Sequence, residues 1–340
     1  MKIPVDSSVA AGSLADCTVV ILDHPNVQYV VQGISSQLKA MGLEVSVLPA
    51  TDTPLSIPDC DALLTCSSFS CTAQVMDSLP RLKGIAALAT GTESIDIKAA
   101  TQRGLPVVHS PTSENVVSIA EATIMLILAS LYRLHESEGR FLKWQRPDVP
   151  YARTLSGKTL GIIGFGKIAR AVAERLSSWD VRILTYSPHA PEAMLPANVR
   201  KVALDELITE CDVISVHAAV DASNHALIDE RVLERLKVDA VLVNTARGAL
   251  INEQALANSM AKGKPAYVAL DCFEKEPLPQ NSPIHGIANG IFTPHMVGHT
   301  KEVQESLIAQ GVANVLAILH RVAPQFVRNP EVLERWKAAS

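Results

Sequence analysis

Short β-rich runs alternate with helical stretches along the first third of this chain. Thr18 to Leu22, Glu44 to Leu48, Ala62 to Thr65, Ile85 to Ala89 and Pro106 to His109 read as strands. Between them, Val30 to Met41 and Ile97 to Arg103 read as helices. Alternation at this spacing predicts a parallel sheet with helices on both faces. A long helix is expected from about Val116 to Phe141, followed by a proline-marked loop from Gln145 to Ser156. A second set opens at Thr159. Its expected strands are Leu160 to Ile163, Arg182 to Tyr186, Val213 to His217, Ala240 to Asn244, Ala266 to Asp271 and Ile291 to Thr293. Six strands with intervening helices match a full dinucleotide-binding sheet. A final helix is expected from about Lys301 to His320.

Composition narrows the classes. The chain has 340 residues, 48% hydrophobic and 19% charged, enough for two domains with their own cores. Its net charge is −5 and no basic stripe interleaves with aromatics, so nucleic acid is not expected as a partner. Met1 to Asp16 does not read as a signal peptide. The apolar stretch Ile119 to Leu131 is interrupted at Glu121 and too short to span a bilayer, so a buried helix and no membrane are expected. Six cysteines without a C-x-x-C read as free thiols in a reducing cytoplasm. His295 and His299 are four apart, but Pro294 and Gly298 argue against a helix there, and no metal site is expected.

The run Thr159 to Ala169 is an apolar strand ending in a glycine turn, with a helix expected from Arg170 to Ser177. Gly164 permits the tight turn, Gly166 lets the backbone approach a pyrophosphate, and Ala169 allows close helix–sheet packing. The helix N-terminus then offers N–H groups and partial positive charge to the anion. Three later strand ends carry chemistry: Arg247 after Val241 to Asn244, Glu276 in the acidic loop after Asp271, and His295 after Thr293. Open parallel sheets bind ligands beyond the carboxyl ends of their strands. The three suit reduction of a 2-oxo acid. The arginine can bind the carboxylate and polarise the oxo group, the histidine can donate a proton, and the carboxylate can hold the imidazole and favour its charged form.

These segments, together with Gly91 to Asp96 and Ser118 to Glu121, resemble the D-isomer-specific 2-hydroxyacid dehydrogenases over nearly the whole chain. The resemblance implies two doubly wound α/β domains, a Rossmann cofactor domain (116–305) inserted in a flavodoxin-like substrate domain (1–115 plus 306–340), with two long helices as the hinge. It implies Arg247, Glu276 and His295 as catalytic residues. Cofactor contacts would come from Gly164, Phe165, Gly166, Lys167 and Ile168, from Ser187, Pro188 and His189, and from His217 and Ala218. Thr245, Ala246, Arg247, Asp271, His295 and Gly298 complete that set, Asp271 facing the nicotinamide amide. Ser67, Ser68, Thr90 and Gly91 would bind substrate with Arg247 and His295. A homodimer through the cofactor domain is also implied.

Departures from the family pattern refine the expectation. The second cofactor strand ends in Ser187 where a carboxylate would bind the ribose 2′-hydroxyl, which favours NADP(H) while leaving NAD(H) open, although no arginine stands beside the turn. The loop Cys66 to Thr72 has no cation for a substrate phosphate, so a glyoxylate- or hydroxypyruvate-type acid is expected over phosphoglycerate. Phe69 could line a pocket for an apolar 2-oxo acid. Glu276, where formate-oxidising relatives have Gln, argues against formate. A D-3-phosphoglycerate dehydrogenase-like enzyme and a non-enzymatic, corepressor-like dinucleotide sensor are the alternatives.

Overall fold

The computed structural model describes residues 16–50, 56–66, 68–146, 151–221 and 223–338. Most of the Met1 to Asp16 segment, residues 147–150 of the expected loop, and Ser67 lie outside them. The chain divides into two compact units, one running to Glu114 and resuming at Thr300, the other Asn115–His299.

The first unit holds a parallel five-stranded sheet: β1 (Thr18–Asp23), β2 (Glu44–Pro49), β3 (Ala62–Thr65), β4 (Gly84–Ala87) and β5 (Val107–Val108). Its order, β2-β1-β3-β4-β5, is flavodoxin-like. β1 shows why both faces are covered. Val19 and Ile21 point to one side, against Val31, Ile34 and Leu38 of helix Gln28–Ala40 and Val315 and Ile318 of helix Lys301–Leu319. Val20 and Leu22 point to the other, against Met76, Leu79 and Ala100. Each such side chain contributes roughly 1.5–3 kcal/mol by leaving water. Asn329 fastens the C-terminal segment here: its buried amide accepts from the Val107 N–H at 2.8 Å and donates to Leu105 O at 2.9 Å. Phe69, which could have lined a pocket for an apolar acid, is only 6% exposed and sits in the core with Leu63 and Ile85 of β3 and β4.

The second unit has seven parallel strands rather than the six expected: β6 (Thr159–Ile163), β7 (Arg182–Tyr186), β8 (Val199–Lys201), β9 (Val213–Val216), β10 (Val241–Asn244), β11 (Tyr267–Leu270) and β12 (Gly290–Phe292). The order β12-β11-β10-β9-β6-β7-β8 contains the Rossmann order with β12 added at one edge. β8 escapes a hydrophobicity reading because Val199 is its one buried residue, flanked by Arg200 and Lys201. The helix after the glycine turn is Lys167–Arg175, three residues earlier than expected, because the N-terminal cap falls on Gly166.

The single helix expected over Val116 to Phe141 is two, Ser113–Leu131 and Leu134–Leu142. Arg133 between them adopts φ 48°, and its N–H turns back to Ser130 O at 3.2 Å. Apolar residues continue on both sides of the break, so the pattern hides it. By length and composition alone, Ser113–Leu131 could cross a membrane. Ser118, Ala120, Thr123, Leu126, Ile127, Ser130 and Leu131 of this helix are instead buried within the protein. Along this helix Met125 is the large apolar residue left most exposed, at 53%.

Candidate active site

β6 delivers the chain into the glycine turn. Gly164 has φ 87°, and a Cβ there would meet the Ala218 backbone at 2.6 Å. Only glycine satisfies both the left-handed backbone and that approach. The turn is therefore packed against His217 and Ala218, which follow β9. The Gly164 N–H donates to Tyr186 O at 2.8 Å, which places Ser187 at the neighbouring strand end. A Cβ on Gly166 would meet nothing within 4 Å. No side chain caps the nine-residue helix that starts at Lys167, so its first N–H groups are left for an anion. Ala169 beneath them is fully buried. This uncapped turn, open at Gly166, fits a dinucleotide pyrophosphate. His217 donates to or accepts from Ser215 Oγ through Nε2 at 2.8 Å, and burial pulls its pKa down to about 4, so it is neutral near pH 7.

At the ends of β10, β11 and β12, backbone and buried polar groups assemble the trio. Asn244, fully buried, accepts from the Ala246 N–H at 3.0 Å and donates to Arg247 O at 2.9 Å, fixing the turn that presents Arg247. The Arg247 guanidinium donates to Ala246 O at 2.8 Å. A Cβ on Gly248 would lie 1.9 Å from the Phe273 carbonyl carbon, so the Arg247 turn rests directly on the loop leading to Glu276. Glu276 uses both oxygens. Oε1 accepts from the Phe273 N–H at 2.9 Å, and Oε2 bonds His295 Nδ1 at 2.8 Å.

The hydrogen bond from Glu276 holds the His295 pKa above the ordinary 6.5, with further help from the Glu276 and Asp271 charges, against burial and Arg247. Burial opposes ionisation of Glu276, but the His295 and Phe273 hydrogen bonds and the nearby positive charges prevail, and its pKa is lowered. His299 moves the other way: burial and the His295 charge lower its pKa, so of these two imidazoles His295 is the one whose cationic form is favoured.

His295 has φ 55°, a conformation that costs a β-carbon-bearing residue about 1–3 kcal/mol. Asp271 holds the chain there. Its Oδ1 accepts from the Thr293 hydroxyl at 2.6 Å and from the N–H groups of Met296 and Val297 at 2.9 and 3.0 Å. Asp271 thus organises the turn that aims His295. Asn244, Thr293 and Phe273, not singled out from sequence, all support the trio. The one signal for them was the amide of Asn244 ending an otherwise wholly apolar strand.

The remaining candidates fall in two places. Thr245 Oγ1 meets Thr123 Oγ1 at 3.0 Å and Gly298 O accepts from Ser118 at 2.9 Å, so both flank helix Ser113–Leu131. Phe165, Lys167 and Ile168 line the glycine turn, and Pro188 and His189 are exposed after β7. Ser68, Thr90 and Gly91 belong to the other unit, where Thr90 Oγ1 donates to Ser110 O at 3.4 Å.

A dinucleotide turn and a proton-donating pair on one sheet edge characterise the dinucleotide-linked dehydrogenases. Comparison with known proteins narrows this. The NAD binding domain model of the D-isomer specific 2-hydroxyacid dehydrogenases matches residues 123–297. The glyoxylate reductase of Thermofilum pendens is 38% identical over 287 residues, covering 82% of this chain and 84% of that protein. The D-3-phosphoglycerate dehydrogenase of Mycobacterium leprae is 31% identical over 89% of this chain, which spans only 57% of that relative's length. The solved D-lactate dehydrogenase from Aquifex aeolicus, complexed with NAD and lactic acid, is 27% identical with a TM-score of 0.81, over 92% of this chain and 99% of that one. The chain belongs to the D-isomer specific 2-hydroxyacid dehydrogenase family.

Proposed function

We propose that the protein is an NADPH-preferring reductase that converts a small 2-oxo acid, of the glyoxylate or hydroxypyruvate type, to the D-2-hydroxy acid. The observation that carries this reading is the 2.8 Å bond between Glu276 and His295 Nδ1. It engages one ring nitrogen and, among the described residues, leaves Nε2 without a hydrogen bond.

When bound, a dihydronicotinamide supplies hydride to the carbonyl carbon. The uncapped helix at Lys167 would hold its pyrophosphate, with Gly164 and Gly166 giving it room. Arg247 binds the substrate carboxylate and draws electron density from the oxo group. His295, kept cationic by Glu276, gives its Nε2 proton to the carbonyl oxygen as the new C–H bond forms. Glu276 then carries the only charge of the pair. In the reverse direction neutral His295 takes the hydroxyl proton.

Ser187 at the ribose end supports NADPH, since no carboxylate stands there to repel a 2′-phosphate. The described part of the loop after β3, Cys66 and Ser68 to Thr72, offers no cation, which supports a substrate without phosphate. Tyr132, Leu134, Phe141, Leu142 and Trp144, 49–83% exposed, make an apolar surface on the cofactor unit that suits a homodimer interface. Buried cysteines, all free, fit a reducing cytoplasm.

The test is reduction of hydroxypyruvate with NADPH, followed by chiral analysis of the glycerate formed. D-glycerate is expected. L-glycerate would overturn the stereochemical assignment, and dinucleotide binding without turnover on any 2-oxo acid would favour a sensor.

A further inference from the structure

Ser187 removes a repulsion at the ribose but supplies no attraction for a phosphate, and the sequence shows no arginine beside the turn. The missing cation lies one strand away. Lys201 ends β8, the edge strand, in register with Thr185 of β7. Its ammonium reaches over the loop after β7 and donates to Ala190 O at 2.8 Å and Pro188 O at 3.3 Å.

We propose that Lys201 is the cation that reads the 2′-phosphate of NADPH, across the loop Ser187 to Ala190. The proposal rests on the NADPH-preferring reading above and names the residue that makes the preference. Two carbonyl dipoles orient the ammonium without neutralising it, and it has a third donor to give. Among the described residues no carboxylate pairs with it, whereas its strand neighbour Arg200 is neutralised by Glu206 at 2.5 Å. A second cation, Arg170, donates to Met194 O at 2.6 Å and lies over the Phe165 ring at 5.7 Å, with no hydrogen bond to the Ser187 to Ala190 loop that Lys201 spans. Asp221, the carboxylate facing His189, already accepts from the Ser223 hydroxyl and N–H, at 2.5 and 2.7 Å. An uncompensated, loop-anchored ammonium thus stands beside the strand end where the ribose 2′ substituent is read.

A purely structural role would make Lys201 a staple for the loop, serving both cofactors equally. Affinities of adenosine fragments separate the two roles without turnover. Dissociation constants of 2′,5′-ADP and 5′-AMP, and of NADPH and NADH, are measured by calorimetry on the wild type, Lys201→Gln and Lys201→Met. Gln keeps a hydrogen-bond donor for the loop and loses the charge. In both variants 2′,5′-ADP and NADPH are expected to weaken by about tenfold or more, the loss of a hydrogen bond to a charged group. 5′-AMP and NADH should move by less than about twofold. Equal weakening of all four ligands would reduce Lys201 to a staple and overturn the proposal. Unchanged preference in both variants would also overturn it, leaving the NADPH reading intact. A wild type that binds 5′-AMP as tightly as 2′,5′-ADP would remove that reading, and the proposal with it.

Discussion

Glu276 uses one carboxylate oxygen to hold itself and the other to hold and charge His295. Its removal should therefore show in the pH dependence before it shows elsewhere. The wild-type His295 pKa is raised above 6.5, so proton donation persists above that pH and fades as pH rises through the shifted value. In Glu276→Gln, burial and Arg247 act with less opposition, and the alkaline limb should move to lower pH. Reduction at pH 8 should fall by roughly tenfold or more, with a smaller loss at pH 6. Superimposable pH–rate profiles would show that the carboxylate does not tune the histidine. Arg247, Glu276 and His295 could be named from sequence because each follows an apolar run ending at a strand terminus. Asn244 left only the mark of an amide ending an apolar strand, and Thr293 and Lys201 left none, since their contacts lie in neighbouring loops that no local pattern reveals.

At the scale of elements, the site depends on loops that rest on one another. The Gly248 Cα is so close to the Phe273 carbonyl that no β-carbon fits, which ties the turn presenting Arg247 to the loop presenting Glu276. Gly248→Ala must push these apart. A stability loss of about 1–3 kcal/mol is expected, with a larger fall in turnover than in dinucleotide affinity. Thermal melts and NADPH binding check this, and a variant with wild-type turnover would show the loops move independently. Most strands were legible because both faces of each sheet are covered, giving continuous apolar runs such as Val19–Leu22. β8, short and charged, gave no such run. The break at Arg133 was invisible because a left-handed residue without glycine or proline leaves no mark in composition.

Across the whole molecule, strand order could be expected only through the resemblance, since pairing order has no local signature. The two parallel sheets and their family follow from the structure and the comparisons. The exposed side chains of Tyr132, Leu134, Phe141, Leu142 and Trp144 bear on the proposed dimer. Phe141→Asp with Trp144→Asp should shift sedimentation from dimer to monomer, and a wild type that sediments as a monomer would refute the dimer. The central claim, that the Arg247, Glu276 and His295 edge reduces 2-oxo acids, has a more direct test. Initial rates of NADPH oxidation with glyoxylate and hydroxypyruvate are measured for the wild type and His295→Ala, alongside NADPH affinity. The account predicts turnover by the wild type and a fall of about 10²-fold or more in the variant, with affinity little changed. Equal rates in the two proteins, or no wild-type turnover despite tight NADPH binding, would contradict it.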